Sequence, residues 1–461
     1  MSMTLTEKIL ARASGKARVA PGDNLLVDVD VLMTHDICGP GTIGVFKREF
    51  GEDARVWDRQ KVVIIPDHYI FTADRRSNRN VDILREFAAE QGLAYFYDVI
   101  DDRKGKWQFD PGKGLALAQY GQRYAGVCHI ALPEKGHTRP GEVLVGTDSH
   151  TCTAGAFGQF ATGIGNTDAA FVMGTGKILL RIPQTMYFRF EGQMPEWVMA
   201  KDIILHIIGE IGFDGATYKA MEFGGQGVST LSMEDRMTVA SMGVEAGAKN
   251  ALFEADALTC ASVDRNARTH GTTRPYEVLK ADRGAQHVYE STINLSQLEP
   301  TVALHPNPGR RTSAGQCRDI KLDRAYIGSC TGGKTGDFKA FARVVRGKRV
   351  SIDTFGVPAT PQVVKELKAD KNDDKNDDKS TWEILVDAGV QMTENAGCAA
   401  CLGGPSDTFA RLNEPISCIS TTNRNFPGRM GHREGKIYLA SPYTVAASAL
   451  AGHISDPRDY M

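Results

Sequence analysis

The sequence predicts an α/β fold in three domains, and three observations carry that prediction. Short β-branched apolar runs recur, each followed by a polar turn and then a stretch with helix-like character. Glycine is abundant, at 48 residues, and supplies the tight turns such connections need. At 461 residues the chain is long for one hydrophobic core, so it divides into packed domains with clefts between them.

Along the chain, Lys61-Val62-Val63-Ile64-Ile65 precedes Pro66-Asp67-His68, and Glu142-Val143-Leu144-Val145 precedes Gly146-Thr147-Asp148-Ser149-His150. Ala325-Tyr326-Ile327 then precedes Gly328-Ser329-Cys330, and Ile416-Ser417-Cys418-Ile419-Ser420 precedes Thr421-Thr422-Asn423-Arg424. Reactive residue types thus follow predicted strands, where open α/β sheets place their ligands. Apolar positions at helical spacing predict a helix over 201–211, with His206 a packed or surface histidine. Boundaries are expected near Pro183, ahead of Thr185-Met186-Tyr187-Phe188-Arg189-Phe190, and near Lys321, after an irregular polar stretch from about Arg265. The domains are then 1–184, 185–320 and 321–461. The tract 371–379 is a charged duplication with no apolar residue to bury, which predicts a solvated loop insertion.

Composition narrows the function classes. Hydrophobic residues make up 42% and charged residues 24%, with 54 Lys+Arg against 56 Asp+Glu, which argues against disorder and against a polyanion-binding surface. No apolar run approaches the roughly 20 residues of a membrane span, and the first residues carry no apolar signal core. A cytoplasmic protein without nucleic-acid or membrane partners is the expectation. Nine cysteines are too few for a secreted disulfide scaffold of this length and fit thiols held reduced or bound to metal.

Cys398 and Cys401 stand two residues apart in the turn Asn395-Ala396-Gly397-Cys398-Ala399-Ala400-Cys401-Leu402-Gly403-Gly404, so both sulfurs can reach one metal centre. Alone, the pair also reads as a thiol-redox couple or half a zinc site. Cys330 is the best third candidate, because it follows a predicted strand among Gly328, Ser329, Thr331 and Gly332, with room for a bulky inorganic group. Three thiolates on a 4Fe–4S cluster leave one iron without a protein ligand, able to accept substrate oxygens as a Lewis acid. Cys38, Cys128, Cys152, Cys260, Cys317 and Cys418 lack paired spacing and read as inert thiols. Asp67-His68, Asp148-Ser149-His150, His35 and His129 add acid–base groups, such as the removal of water from a 2-hydroxy acid would need. Asn423-Arg424-Asn425-Phe426-Pro427-Gly428-Arg429 places two guanidinium forks in one turn, suited to carboxylates.

Pro66-Asp67-His68, Gly146 to Thr151, Gly328-Ser329-Cys330-Thr331, the Cys398/Cys401 pair and Asn423 to Arg429 together resemble the aconitase superfamily, in order and over essentially the whole chain. Gly126-Val127-Cys128-His129-Ile130, the run from Phe157 to Asp168 and Gly332-Gly333-Lys334 resemble its isopropylmalate branch, of plant and cyanobacterial type. The resemblance implies three α/β/α domains around a central cluster site, without the swivelling domain of long aconitases. It implies one 4Fe–4S cluster on Cys330, Cys398 and Cys401 with one iron lacking a protein ligand, and an Asp67–His68 pair assisting loss of the hydroxyl. His129, Asp148, His150 and Glu222 would line the site. Ser149 would bind substrate, Asn423, Arg424 and Arg429 would clamp its carboxylates, and His35 would touch it.

The implied activity is that of a hydro-lyase isomerising 2- and 3-isopropylmalate by dehydration and rehydration through 2-isopropylmaleate in leucine biosynthesis. The carbon-proton base would be a serine in the swivelling domain of a separate small subunit, which would complete a heterodimer and set the side chain accepted. Homoaconitate, citrate, 2,3-dimethylmalate or another malate analogue remain alternative substrates. A non-catalytic cluster or RNA-binding protein and a zinc or thiol-redox protein are alternatives of other classes. Two departures stand out: Gly332 replaces an asparagine found in many relatives, and the 371–379 insertion falls between Cys330 and the later pair.

Overall fold

The computed structural model describes residues 2–100, 114–121, 123–370 and 379–460, so the charged tract lies outside the described residues except for Lys379. Three sheets organise the fold. The first has the order Tyr95–Phe96, Val62–Ile64, Val31–Thr34, Val143–Gly146, Phe160–Gly163, with every neighbour parallel. Its three central strands are buried throughout, which is why they read as unbroken apolar runs rather than alternating ones. An antiparallel ribbon, Asn24–Asp28 with Lys177–Arg181, accompanies this sheet.

The second sheet, Asn250–Phe253, Ala220–Gly224, Thr185–Glu191, Tyr289–Asn294, is also all parallel. The third runs Arg311–Ser313, Thr301–Ala303, Lys436–Ala440, Ser417–Ser420, Arg324–Ile327, Asp353–Gly356, Gln391–Met392. Its first two pairings are antiparallel and the rest parallel. The four strands expected ahead of reactive turns are all present, and the expected helix spans Ala200–Ile211.

Two expectations need correction. The boundary placed at Lys321 cuts the third sheet, because Thr301–Ala303 and Arg311–Ser313 precede it and join that sheet, with Val302 opposite Ala440. Arg311–Ser313 is a partly exposed edge strand of polar residues, and this obscures it in the sequence. The helix Ala257–His270 also continues past Arg265 and ends where Gly271 turns left-handed at φ +66°, so the irregular stretch begins there.

The sheets meet at close quarters. A 3₁₀ run, Ser149–Phe157, follows the first sheet's Val143–Gly146 and lies against Asn250–Phe253 of the second. A Cβ on Gly155 would sit 1.8 Å from the Ala251 carbonyl oxygen, so only glycine permits this approach. One continuous core holds Phe188, Phe223 and Phe253 of the second sheet together with Cys330, Cys398 and Cys401. The cysteine loops therefore rest on the second sheet's packing.

Gly155→Ala should lower the melting temperature by the equivalent of about 1–3 kcal/mol or more, because the clash is with backbone. Calorimetry of the purified variant checks this, and an unchanged transition would show that the contact yields freely.

Candidate active site

Three adjacent parallel strands of the first sheet end on His35-Asp36, Asp67-His68 and Asp148-Ser149-His150. Asp36 fixes the middle turn by accepting backbone N–H groups of Asp67 at 2.9 Å, His68 at 3.0 Å and Tyr69 at 2.7 Å. Asp67 Oδ1 meets His68 Nδ1 at 2.6 Å, and Asp67 Oδ2 accepts the Cys128 N–H at 2.8 Å, at the start of the helix carrying His129. The Asp67 carbonyl in turn accepts the Cys398 N–H at 3.1 Å.

Burial alone would pull the His68 pKa down, but the adjacent Asp67 carboxylate outweighs it and holds His68 at about 10. The pair is therefore an aspartate–imidazolium pair at neutral pH. Four histidines surround Asp148: His129 Nε2 at 2.9 Å, His150 Nδ1 at 3.3 Å, His68 Nε2 at 3.7 Å and His35 Nε2 at 3.9 Å. Burial opposes ionisation of Asp148, yet His129 and His150 hold its carboxyl well below the usual range. His35 lies 4.4 Å from His68, ring centroid to centroid, and burial together with the charge on His68 lowers its pKa. His35 Nε2 and His129 Nδ1 are buried without a hydrogen-bond partner.

The third sheet supplies the opposing residues. Ser417–Ser420 leads into Thr421-Thr422-Asn423-Arg424, and Arg324–Ile327 leads into Gly328-Ser329-Cys330. Arg424 Nε donates to both oxygens of Glu245, at 2.8 and 2.9 Å, and its Nη2 donates to Ser149 Oγ at 3.0 Å. Glu245 also meets His150 Nε2 at 2.8 Å. Burial resists its charge, and His150 and Arg424 keep its carboxyl below the ordinary range.

Cys330, Cys398 and Cys401 are buried together in the shared core. Asn423 Nδ2 donates to Cys330 Sγ at 3.1 Å, and Ser241 Oγ stands 3.4 Å from that sulfur. Ser329, just before Cys330, adopts φ +77°, a left-handed backbone unusual for a side-chain-bearing residue. Burial pushes the Cys330 thiol up to about 11, whereas the bond from Cys398 and then the positive Arg429 pull the Cys401 thiol down. Arg429 Nε is buried and unpartnered.

Cys152 and Cys418 turn their sulfurs onto the carbonyls of Ser241 and Ile419. Three soft donors in a small-residue setting, with unpartnered donors beside them, fit an iron–sulfur cluster. A side chain at Gly332 does not fit here, since its Cβ would lie 2.1 Å from Thr421 Oγ1.

Glu222 is the exception among the expected site residues. It lies on the strand Ala220–Gly224, and its carboxylate accepts the N–H groups of Thr6 at 2.8 Å and Leu5 at 3.3 Å, at the start of the helix Leu5–Ala13. It caps that helix, and the glutamate joined to the histidine cluster is Glu245. Glu245 and Asp36 were the residues that sequence reasoning missed. The available signal for Glu245 was a lone charge within Met242-Gly243-Val244-Glu245-Ala246-Gly247, a setting that buries and therefore pairs it.

Thiols and an arginine from the third sheet thus meet imidazoles from the first. The aconitase family (aconitate hydratase) matches residues 7–319 and 311–452. The chain belongs to the aconitase family. It is 56% identical over 461 residues to the 3-isopropylmalate dehydratase large subunit, chloroplastic, of Arabidopsis thaliana, covering 100% of this chain and 87% of the relative. It is 42% identical over 463 residues to 3-isopropylmalate dehydratase large subunit 1 of Methanopyrus kandleri, covering 100% of both. The large subunit from Acetivibrio thermocellus is 41% identical over 459 residues, with 99% of each covered. Membership of the aconitase family implies a 4Fe–4S cluster, and buried cysteines are present to hold it. Among the described residues, no helix is long and apolar enough to cross a membrane.

Because the folded pKa of His68 lies above its unfolded value of 6.5, His68 contributes stability that is fully present below about pH 6.5 and lost as pH rises through about 10. Denaturant midpoints of the iron-free protein should fall across that window, and Asp67→Asn should flatten the fall. Identical profiles for the two proteins would separate His68 from Asp67.

Glu245→Gln should cut turnover about a hundredfold with the cluster retained, since it weakens both the His150 and Arg424 contacts. Glu222→Gln should lower stability by about 1–3 kcal/mol and spare turnover. The reverse pattern, read by steady-state kinetics and melting, would exchange their roles.

Proposed function

We propose that this chain is the large subunit of a 3-isopropylmalate dehydratase, which isomerises 2- and 3-isopropylmalate through 2-isopropylmaleate in leucine biosynthesis. The observation that carries the reading is the meeting of an aspartate–histidine cluster, three buried thiols and a preset arginine at the carboxyl ends of parallel strands in the first and third sheets. Relatives named as large subunits of this enzyme match the chain over nearly all of its length.

Cys330, Cys398 and Cys401 would hold the cluster, which would supply Lewis acidity at an iron without a protein ligand. His68 carries a proton on Nε2 while Asp67 occupies its Nδ1, so it is poised to donate to a departing hydroxyl. Asp148 orients His129 and His150, and His35 closes the wall beside His68. Arg424 is fixed by Glu245 and Ser149, which presets its guanidinium for a substrate carboxylate at little ordering cost. Asn423 and Arg429 complete that side.

The base for the carbon-bound proton is assigned to a serine of a separate small subunit of swivelling-domain type, and the same subunit reads the substrate's side chain. The nine free cysteines suit a reducing compartment, and the cytoplasm is our assignment, although the Arabidopsis relative is named chloroplastic.

The test is anaerobic reconstitution. The chain should bind about four irons, and Cys330→Ser should lose them, whereas Cys260→Ser should not. Ultraviolet absorbance of the unsaturated intermediate should appear from 3-isopropylmalate only when a small subunit is added. Normal turnover by the isolated chain would overturn the partner assignment. Preference for homoaconitate, citrate or 2,3-dimethylmalate in a substrate panel would overturn the substrate.

A further inference from the structure

Lys201 is 1% exposed at the start of the helix Ala200–Ile211, and its ammonium reaches both loops that bring the third sheet into the site. It donates to Thr331 Oγ1 at 3.2 Å, next to Cys330. It also donates to the carbonyl oxygens of Thr421 at 2.9 Å and Thr422 at 2.5 Å, just before Asn423 and Arg424. Its three N–H groups thus meet three neutral acceptors, and none of those partners is a carboxylate.

Lys334, also buried and bonded to the Cys330 carbonyl, shows the contrast, because Asp337 pairs with it at 2.7 Å. A buried ammonium without an ion-pair partner is costly, and its place at a helix N-terminus adds the unfavourable end of the helix dipole. Burial pulls the Lys201 pKa down to about 7, so a negative charge nearby is what would hold it as an ammonium. Lys201 bonds to the residue next to Cys330, and three thiolates on a 4Fe–4S cluster would carry a net negative charge there.

We propose that Lys201 is a positioning residue for the cluster: its ammonium clamps the Cys330 loop to the loop of Asn423 and Arg424 and serves as the buried counter-charge of the thiolate-bound cluster. The proposal rests on the assignment of Cys330, Cys398 and Cys401 as ligands. It makes the worth of Lys201 conditional on the cluster, which distinguishes it from a purely structural lysine. Without the cluster the charge is a burden on the fold, and with it the charge is a stabilising contact.

The experiment uses the full chain, anaerobically loaded and also iron-free, as wild type, Lys201→Met and Lys201→Arg. Cluster absorbance of Lys201→Met should bleach in air about tenfold faster than wild type, on the scale of losing a charge-assisted hydrogen-bond set, whereas Lys201→Arg should stay near wild type. Loaded Lys201→Met should melt below loaded wild type, while its iron-free form melts at the wild-type temperature or above. Equal losses of melting temperature in loaded and iron-free forms would overturn the proposal. So would wild-type bleaching by Lys201→Met, or bleaching by Lys201→Arg as fast as by Lys201→Met. A wild-type chain that takes up no iron would instead overturn the ligand assignment.

Discussion

Asp67 is fully buried and every polar group it owns is engaged. Its N–H goes to Asp36, its two carboxylate oxygens to His68 and the Cys128 N–H, and its carbonyl to the Cys398 N–H. One residue thereby fixes the strand end bearing His68, the helix bearing His129 and the turn bearing the paired cysteines. These pieces come from distant parts of the chain, and hydrogen bonds out of water's reach gain strength from the low local dielectric. The same shielding makes each of them expensive to lose, so the site is held as a unit.

The electrostatics follow from that enclosure. Two hydrogen-bonded chains run through the site: Asp67 with His68, and His150 with Glu245 and Arg424, with Asp148 bridging between the histidines. Removing one member leaves an uncompensated buried charge. In return, dipoles and charges held in place need no reorganisation when a charged group enters, which is the main advantage of a preset site. The left-handed Ser329 shows the same preference for fixed geometry, since it accepts backbone strain to direct Cys330.

Much of this was legible in the sequence for a definite reason. Strands buried on both faces appear as short apolar runs, and a parallel sheet places the residues after each run on one edge, so Asp67-His68, Asp148 to His150, Cys330 and Arg424 could be located by local pattern alone. Glu245 could not, because its contact with His150 joins residues 95 apart through the packing of a helix end rather than a strand end. Glu222 shows the converse error. Its neighbours place it on a buried strand, and only the tertiary approach of Leu5 and Thr6 shows that it caps a helix. The edge strand Arg311–Ser313 escaped because exposed edges carry polar residues like those of loops.

The three-sheet plan has a physical logic of its own. One parallel sheet presents its reactive turns in a row, which makes an edge rather than an enclosure. Setting the turns of the third sheet against those of the first creates a cleft with imidazoles and carboxylates on one wall and thiols and guanidinium on the other. That cleft gathers more charge than apolar walls can tolerate, and the second sheet answers from behind through Glu245, paired with Arg424, and Lys201 beneath the Cys330 loop. Its phenylalanine core also supports the cysteine loops, so the element that contributes least to the visible chemistry is the one against which the other two are positioned.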